Sequence, residues 1–269
     1  ILILNKYTNL SEKEKIEIKS LKRGECLMFA GEDHILTKIQ ACEKEIELIE
    51  GEKINDKVPM ASTTKIMTAI LLLEYGNLEE YAIASKQAQA TTGQQLNLKE
   101  GDKISLNDLL YAIMLYSAND GAVVIAEHIG GSVEGFCEMM NNKAKEIGCL
   151  ETNFVNPNGI HNENHYTTAY DMYLIAKYAM KNEKFVKIVS TYQTTIPGSE
   201  NGTVRYLTNH NKLLKRMEGC IGVKTGFTKK SGRCLVTAAK RQGETVIAVS
   251  LNCPDDWNAH RALLDYGFE

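Results

Sequence analysis

The stretch that decides the fold is Ala61–Ile70, ASTTKIMTAI, in which a serine and a lysine stand at the head of an apolar run. The simplest explanation is an ordinary helix start, because serine is a preferred N-cap residue. The run after Lys65 is, however, apolar on almost every face, which predicts a buried helix. A lysine at the start of a buried helix is costly unless it is paired or used. Because residues three apart share a helix face, Ser62 and Lys65 are a candidate nucleophile and base.

The composition excludes several classes of protein. The 269 residues carry a net charge of −3, with 43% hydrophobic and 24% charged residues, as in ordinary globular proteins. This charge gives no reason to expect nucleic acid or an anionic membrane surface as a partner. No apolar run reaches the roughly 18–20 residues of a membrane span, and the N-terminal ILIL is too short for a signal sequence core.

No metal site or cofactor is expected. The seven cysteines form no CxxC pair and no zinc spacing, and most stand in apolar surroundings typical of structural thiols. The nearest approach to a metal motif is HNENH, residues 161–165, which lacks the acid position of a zinc-binding helix. Its surroundings are rich in Asn and Gly, so it is interpreted as a loop.

The order of elements predicts an α+β fold with an antiparallel sheet flanked by helices and an inserted, mostly helical lobe. The sheet lobe is expected over about 20–60 and 190–269, with its two ends joined in one sheet, and the helical lobe over about 62–187. The whole chain, 1–269, is then a single catalytic domain with the active site between the lobes. Strands are expected at 25–31, 45–51, 221–228, 232–241 and 245–253, and a helix within 1–20.

Several helix boundaries can be predicted from capping residues. Gly76 is expected to end the first buried helix. The expected N-caps are Ser105, Ser132, Thr167 or Thr168, and Asp255 or Asp256.

Two further short motifs accompany the serine and lysine. YSAND places Ser117 and Asn119 between two helices, and GVKTGFT places Lys224, Thr225 and Gly226 on a strand. Each motif alone is weak, because Ser-x-Asn is common in loops and Lys-Thr-Gly ends many strands. The ordered set S-x-x-K, S-x-N and K-T-G is that of serine β-lactamases and penicillin-binding proteins, and the predicted helix, turn and strand contexts agree with it.

Longer stretches extend the resemblance, among them DLLYAIMLYSANDGAVVIAEHIGGS and GVKTGFTKKSGRCLVTAAKR. Over roughly residues 56–268 the chain resembles the serine D-alanyl-D-alanine carboxypeptidases, the low-molecular-mass penicillin-binding proteins. The resemblance implies a serine β-lactamase/transpeptidase-like fold and an acyl-enzyme hydrolase. It also implies peptidoglycan stem peptides ending in D-Ala-D-Ala as substrate, β-lactams as covalent inhibitors, and a secreted protein on the cell-wall side of the membrane.

The resemblance assigns the chemistry residue by residue. A serine is a poor nucleophile until a base takes its proton, and Lys65 can do so only if burial and a nearby cation such as Lys224 keep it neutral. The resemblance further implies that Ser117 relays a proton to the leaving nitrogen and that Asn119 holds the substrate amide. Lys224 and Thr225 are expected to bind the terminal carboxylate, and Gly226 to let the substrate lie close to the strand. The oxyanion hole is expected at the N–H groups of Ser62 and Phe227.

The chain also departs from the family pattern. The first 50 or so residues do not resemble the usual opening hairpin. His210 occupies a position where some members carry an arginine that binds the substrate carboxylate, so this binding is expected to be weaker or pH-dependent. Asp120 is expected to cap the helix over 121–129. The sequence ends after the catalytic region, so neither a C-terminal β-domain nor a membrane anchor is expected.

Two other functions remain open. A class A β-lactamase shares the three motifs but needs a glutamate in an E-x-x-L-N loop, and Glu163 does not stand in that pattern. A non-catalytic β-lactam sensor would be acylated and then signal, but such sensors need a membrane-spanning segment. The carboxypeptidase is therefore the favoured prediction.

Overall fold

A computed structural model describes residues 25–30 and 33–38 as backbone, and residues 55–198 and 203–268 with their side chains. The helix predicted within 1–20 and the strand predicted at 45–51 lie outside the described residues. No helix in these ranges combines the length and apolarity needed to cross a bilayer.

The N-terminal strands form a hairpin. β1 (Glu25–Ala30) was predicted, and β2 (Asp33–Lys38) follows it where the sequence suggested only a polar connection. The two strands pair antiparallel, with Ala30 opposite Asp33, because a two-residue connection makes local pairing cheap in chain entropy. Among the described strands, this hairpin is a sheet of its own. The prediction that the two ends of the chain share one sheet was therefore wrong for these strands.

The central part of the chain is mostly helical, as predicted. A 3₁₀ turn over Ala61–Thr64 leads into the first helix, and a single π turn, Ala112–Tyr116, continues the third. In order, the elements are α1 (Lys65–Tyr75), β3 (Tyr81–Ile83), α2 (Lys86–Gln89), β4 (Lys103–Ser105), α3 (Leu106–Tyr111), α4 (Asn119–Gly130), α5 (Val133–Ile147), α6 (Ala169–Ala179) and α7 (Glu183–Val189).

Side-chain capping fixes five of these helix starts, and three of the caps were predicted from the sequence. The hydroxyl groups of Ser105, Ser132 and Thr168 each accept a hydrogen bond at 3.0 Å from the backbone N–H three residues later. The short antiparallel pair β3–β4 was not predicted, because three-residue strands carry too little alternation to be recognised.

The C-terminal part contains the remaining strands. β5 (Gln193–Pro197) and β6 (Val204–Thr208) form a hairpin, followed by a 3₁₀ turn over Lys212–Lys215. The three predicted strands are confirmed as β7 (Cys220–Thr228), β8 (Gly232–Arg241) and β9 (Glu244–Ser250), antiparallel in the order β7-β8-β9.

The last helix, α8 (Asp256–Tyr266), begins where the sequence predicted, but neither aspartate caps it through its side chain. Asp255 occupies the N-cap position, but its carboxylate accepts from the side chain of Asn258 and not from a backbone N–H of the helix. Asp256 is buried and accepts hydrogen bonds from Arg233 on β8 at 2.8 and 2.9 Å. The carboxylate therefore ties α8 to the sheet.

The core surrounds α1, and this positions the candidate site. Every residue of α1 from Lys65 to Leu72 is buried, with α4 and α6 packed alongside it. The turn Ala61–Thr64 lies against β7 and β8. The architecture is α+β, as predicted, and it places Ser62 where the helical segments meet the edge of the sheet.

Candidate active site

Ser62 does not act as a helix cap. It lies within the 3₁₀ turn, half-buried, and the N-cap position of α1 belongs to Thr64, whose side chain makes no capping bond. The residue before it, Ala61, has φ 47° in the left-handed region, which non-glycine residues seldom adopt. The simple explanation of the motif as a capped helix is therefore wrong.

Lys65 points its amino group at three oxygen atoms. Its Nζ lies 3.0 Å from Ser62 Oγ, 2.7 Å from Asn119 Oδ1 and 2.5 Å from the backbone O of Asn158. The amide and backbone oxygens can only accept hydrogen bonds, so they take both N–H bonds of a neutral amine. Its lone pair is then left for the hydroxyl of Ser62, which is the arrangement a general base needs.

Burial favours the neutral form of the Lys65 amine. The residue is fully buried, and this burial, together with the charge of Lys224, lowers the pKa of Lys65 well below its ordinary value; Asp120 acts in the opposite direction. The position at the positive end of α1 also disfavours a cation. Lys224 is itself 1% exposed, and burial lowers its pKa to about 7.

The second motif brings Asn119, the first residue of α4, to the lysine. Its Oδ1 accepts from Lys65, while its Nδ2 donates to the backbone O of Thr92 at 2.7 Å. Asn119 is thus held between the lysine and the 91–98 loop. The sequence predicted only a contact of Asn119 with substrate and neither of these two bonds. Ser117, 6% exposed, ends the π turn with left-handed backbone angles of φ 66° and ψ 32°.

Asp120 does not cap α4, contrary to the sequence prediction. The N-cap is Ala118, and Asp120 lies inside the first turn with its carboxylate buried. Its oxygens accept hydrogen bonds from the backbone N–H groups of Leu96 at 3.0 Å and Leu98 at 3.1 Å. Asp120 therefore anchors the loop whose Thr92 carbonyl holds Asn119.

The third motif lies on β7, which is an edge strand among the described strands. A Cβ atom on Gly226 would stand 3.0 Å from the backbone N of Ser62 and 3.2 Å from the Cβ of Ala61, so glycine lets the strand approach the serine turn closely. Lys224 Nζ donates to the backbone O of Thr225 at 3.1 Å. Thr225 is half-buried, and Phe227 is 66% exposed.

The loop over residues 155–165 closes the site from the other side, and its contacts with the serine turn were not predicted from the sequence. The backbone O of Asn158 accepts from Lys65, and Gly159, with φ +87°, lies against Ala61 so closely that a Cβ would stand 1.9 Å from its carbonyl oxygen. The tripeptide Pro157-Asn158-Gly159 is typical of a tight turn, but it does not indicate that this turn contacts the segment from Ala61 to Lys65. His165, at the end of the HNENH segment, is buried and contacts Thr64.

Two other histidines were singled out from sequence. His161 Nε2 lies 3.1 Å from Glu163 Oε1. Within the described ranges, no group of three acidic, cysteine or histidine side chains is arranged to hold a metal ion. His210 has its ring 5.9 Å from the ring of Tyr116, and burial together with Lys224 lowers the pKa of His210. His210 is thus unlike an arginine, which stays charged at all physiological pH values.

The chain matches known proteins over most of its length. A sequence profile described as D-alanyl-D-alanine carboxypeptidase, peptidase S11, matches residues 46–255. The chain is 36% identical to the D-alanyl-D-alanine carboxypeptidase DacF of Bacillus subtilis over 82% of this chain and 59% of that protein. It is 35% identical to the D-alanyl-D-alanine carboxypeptidase of Streptomyces sp. strain K15 over 77% of this chain and 78% of that one.

The fold has solved counterparts as well. The crystal structure of the Streptomyces K15 DD-transpeptidase matches with a TM-score of 0.74 and 33% identity, over 80% of this chain and 89% of that one. This match confirms the predicted serine β-lactamase/transpeptidase-like fold. The chain belongs to the peptidase S11 family of D-alanyl-D-alanine carboxypeptidases.

Proposed function

We propose that the protein is a serine D-Ala-D-Ala carboxypeptidase that removes the terminal D-alanine from peptidoglycan stem peptides through an acyl-enzyme on Ser62. The observation that carries the proposal is the geometry of Lys65. It is a fully buried amine with two pure acceptors on its N–H bonds and a serine hydroxyl 3.0 Å from its nitrogen. Few structural roles need a lysine in such surroundings.

Acylation begins at the serine. Ser62 Oγ attacks the carbonyl carbon of the penultimate D-alanine while its proton passes to Lys65 Nζ. The developing oxyanion is stabilised by the backbone N–H groups of Ser62 and Phe227, and such donors are typically worth about 2.7–4 kcal/mol each in the transition state. The close approach of β7 to the serine turn at Gly226 supports the assignment of one N–H donor from each of these two segments.

The leaving group then departs as free D-alanine. Its nitrogen must gain a proton as the C–N bond breaks. We assign this to the proton that Lys65 took from Ser62, relayed through the hydroxyl of Ser117, which leaves Lys65 neutral again. Lys224 and Thr225 bind the terminal carboxylate, and β7, an edge strand among the described strands, pairs with the peptide as an added strand. Asn119 orients Lys65 and, once substrate is bound, contacts the peptide amide.

Water completes the cycle by hydrolysing the ester on Ser62, with Lys65 again accepting a proton. A β-lactam enters the same path, because attack on its ring carbonyl opens the ring and leaves the whole drug attached as an ester. A substrate in peptidoglycan implies a secreted protein on the cell-wall side of the membrane.

The proposal is tested by the intact mass of the protein over time after addition of benzylpenicillin. We expect a long-lived adduct of one drug molecule on the wild type and none on Ser62→Ala. Ser190→Ala removes an exposed serine at the end of α7 and is the matched control that should still form the adduct. D-Alanine release from a peptide ending in D-Ala-D-Ala, absent for L-Ala-L-Ala, is the second readout.

Other outcomes would replace the proposal. A short-lived adduct with steady release of opened drug, and no peptide turnover, would identify a β-lactamase. A stable adduct without peptide turnover would identify a sensor. Absence of an adduct on folded wild-type protein would exclude Ser62 as the acylated nucleophile.

A further inference from the structure

The loop over residues 155–165 is bonded to the start of α1 at several points. The backbone O of Pro157 accepts a hydrogen bond from Thr68 Oγ1 at 2.6 Å, and the backbone O of Asn158 accepts from Lys65 Nζ. Gly159 lies against the carbonyl of Ala61. Any change in this loop is therefore transmitted to the turn that carries Ser62.

His165 makes the remaining contact, and its tautomer follows from its neighbours. Nδ1 accepts a hydrogen bond from the backbone N–H of Val155 at 3.1 Å, so it carries no proton. The proton of the neutral ring is therefore on Nε2, which donates to Thr64 Oγ1 at 2.8 Å. Thr64 Oγ1 in turn donates to the backbone O of Ala61 at 2.7 Å.

The chain of hydrogen bonds ends on a peptide unit that matters for acyl transfer. The C=O of Ala61 and the N–H of Ser62 belong to one planar, trans peptide unit, so they lie in the same rigid plane and point in opposite directions. Holding that oxygen through Thr64 fixes the direction of the Ser62 N–H. Ala61 has φ 47°, a conformation that persists in a non-glycine residue only when its surroundings hold it.

His165 is suited to this task because its protonation state does not change. Its side chain is buried, and this burial, with added effects of Lys65 and His161, lowers the pKa of His165 to about 3. The ring therefore remains a neutral donor at Nε2 throughout the neutral pH range. It reaches Ser62 only through Thr64.

We propose that His165 is a positioning residue for acyl transfer, which through Thr64 fixes the Ala61–Ser62 peptide so that the Ser62 N–H faces the reacting carbonyl. The inference rests on the proposed acyl-enzyme function. It assigns a role to the HNENH segment as part of the acyl-transfer machinery, without a metal.

The test compares variants that break or keep the chain of hydrogen bonds. His165→Leu and Thr64→Val each remove a link, whereas His165→Gln and Thr64→Ser each keep a donor or hydroxyl near the same place. His260→Leu is the matched control, because His260 is equally buried, bonds to Thr237 Oγ1 and Ser250 Oγ at 2.6 and 2.8 Å, and also has its pKa lowered to about 3 by burial. His260 belongs to α8, and its ring is bonded to side chains of β8 and β9 and not to the turn that carries Ser62.

The measurement is the acylation of each folded variant by benzylpenicillin, separated into the dissociation constant of the non-covalent complex and the acylation rate constant. We expect His165→Leu and Thr64→Val to reduce the rate constant by about 10- to 100-fold with little change in the dissociation constant. Thr64→Ser and His165→Gln should recover most of the rate. The double variant should be no slower than the slower single variant, because both act through one chain.

Three results would overturn the inference. Wild-type acylation rates in folded His165→Leu and Thr64→Val would do so, as would a loss in His260→Leu of the same size. If His165→Leu fails to fold, a normal rate in Thr64→Val would have the same consequence. An absence of any adduct on wild-type protein would instead refute the proposed function, and the inference with it.

Discussion

The two ends of α1 each hold a buried lysine in opposite electrostatic surroundings. At its start, Lys65 contacts only uncharged oxygens, and its pKa is lowered. Near its end, Glu74 binds Lys143 of α5 at 2.9 Å, and Glu146 binds it at 2.8 Å. These carboxylates outweigh the effect of burial and raise the pKa of Lys143. Burial alone therefore does not decide the direction in which the pKa of a lysine shifts, because carboxylate partners can outweigh it.

The largest effect is expected from replacing the lysine without carboxylate partners. Lys65→Met removes the base and should slow acylation of Ser62 by benzylpenicillin about 10³-fold, with thermal unfolding still cooperative. The rate is measured by intact mass. Acylation at the wild-type rate would show that Lys65 is not the base and would remove the contrast between the two lysines.

The next prediction converts the surroundings of Lys65 into those of Lys143. Asn119→Asp places a carboxylate beside the amine, which favours the charged form of Lys65 and should raise its pKa. Because only the neutral amine accepts a proton, acylation should slow about 10-fold or more at pH 7 and recover at higher pH. The measurement is the acylation rate constant from pH 6 to 10.

Asn119→Leu is the control for that experiment. It removes the amide without adding charge, so the rate should fall through poorer positioning of Lys65, while the midpoint of the pH profile stays near that of the wild type. Equal profiles for Asn119→Asp and Asn119→Leu would contradict the electrostatic explanation.

Stability, and not acylation, should change at the other end of α1. Lys143→Met leaves Glu74 and Glu146 without their partner, and we expect a loss of about 1–2 kcal/mol in the free energy of unfolding. The estimate is modest because the glutamates are 27% and 62% exposed and solvent screens them. Urea denaturation measures the loss, and an altered acylation rate per folded molecule would contradict the division of roles.

The last prediction concerns the slope of stability against pH. Lys224 has a folded pKa of about 7 and an unfolded value near 10.5, so above pH 7 the unfolded state binds more protons. Stability should then rise with pH by up to about 1.4 kcal/mol per unit. Lys224→Met should reduce this rise between about pH 7 and 8.5, a range in which the thiols and Lys65 contribute to the slope of both proteins.

Lys143→Met should leave the same slope unchanged. A lysine whose folded pKa is raised stays protonated in both states throughout that window, and its contribution is lost only above pH 10.5. Urea denaturation at several pH values gives both slopes. A steeper rise in Lys224→Met than in the wild type would reverse the assigned direction of its pKa shift.

Local signals in the sequence determined a large part of this protein. The caps at Ser105, Ser132 and Thr168 and the strands β7, β8 and β9 were predicted correctly, because capping bonds span three residues and strand alternation is visible within a short window. The spacing of Ser62 and Lys65 fixed their proximity, because one helical turn joins them. The motif set and the longer resemblance identified the family.

The tertiary structure decided how the site is held together. Lys65 meets the carbonyl of Asn158 across 93 residues of sequence, and Thr64 meets His165 across 101. Neither contact can be recognised from the spacing of residues in the sequence. Asp120 was predicted to be a helix cap, but its carboxylate accepts hydrogen bonds from the backbone N–H groups of Leu96 and Leu98. The sequence alone thus predicted which groups carry the chemistry, whereas the packing of distant segments decided the surroundings of those groups and the direction of their pKa shifts, because both depend on burial and on partners that only folding brings near.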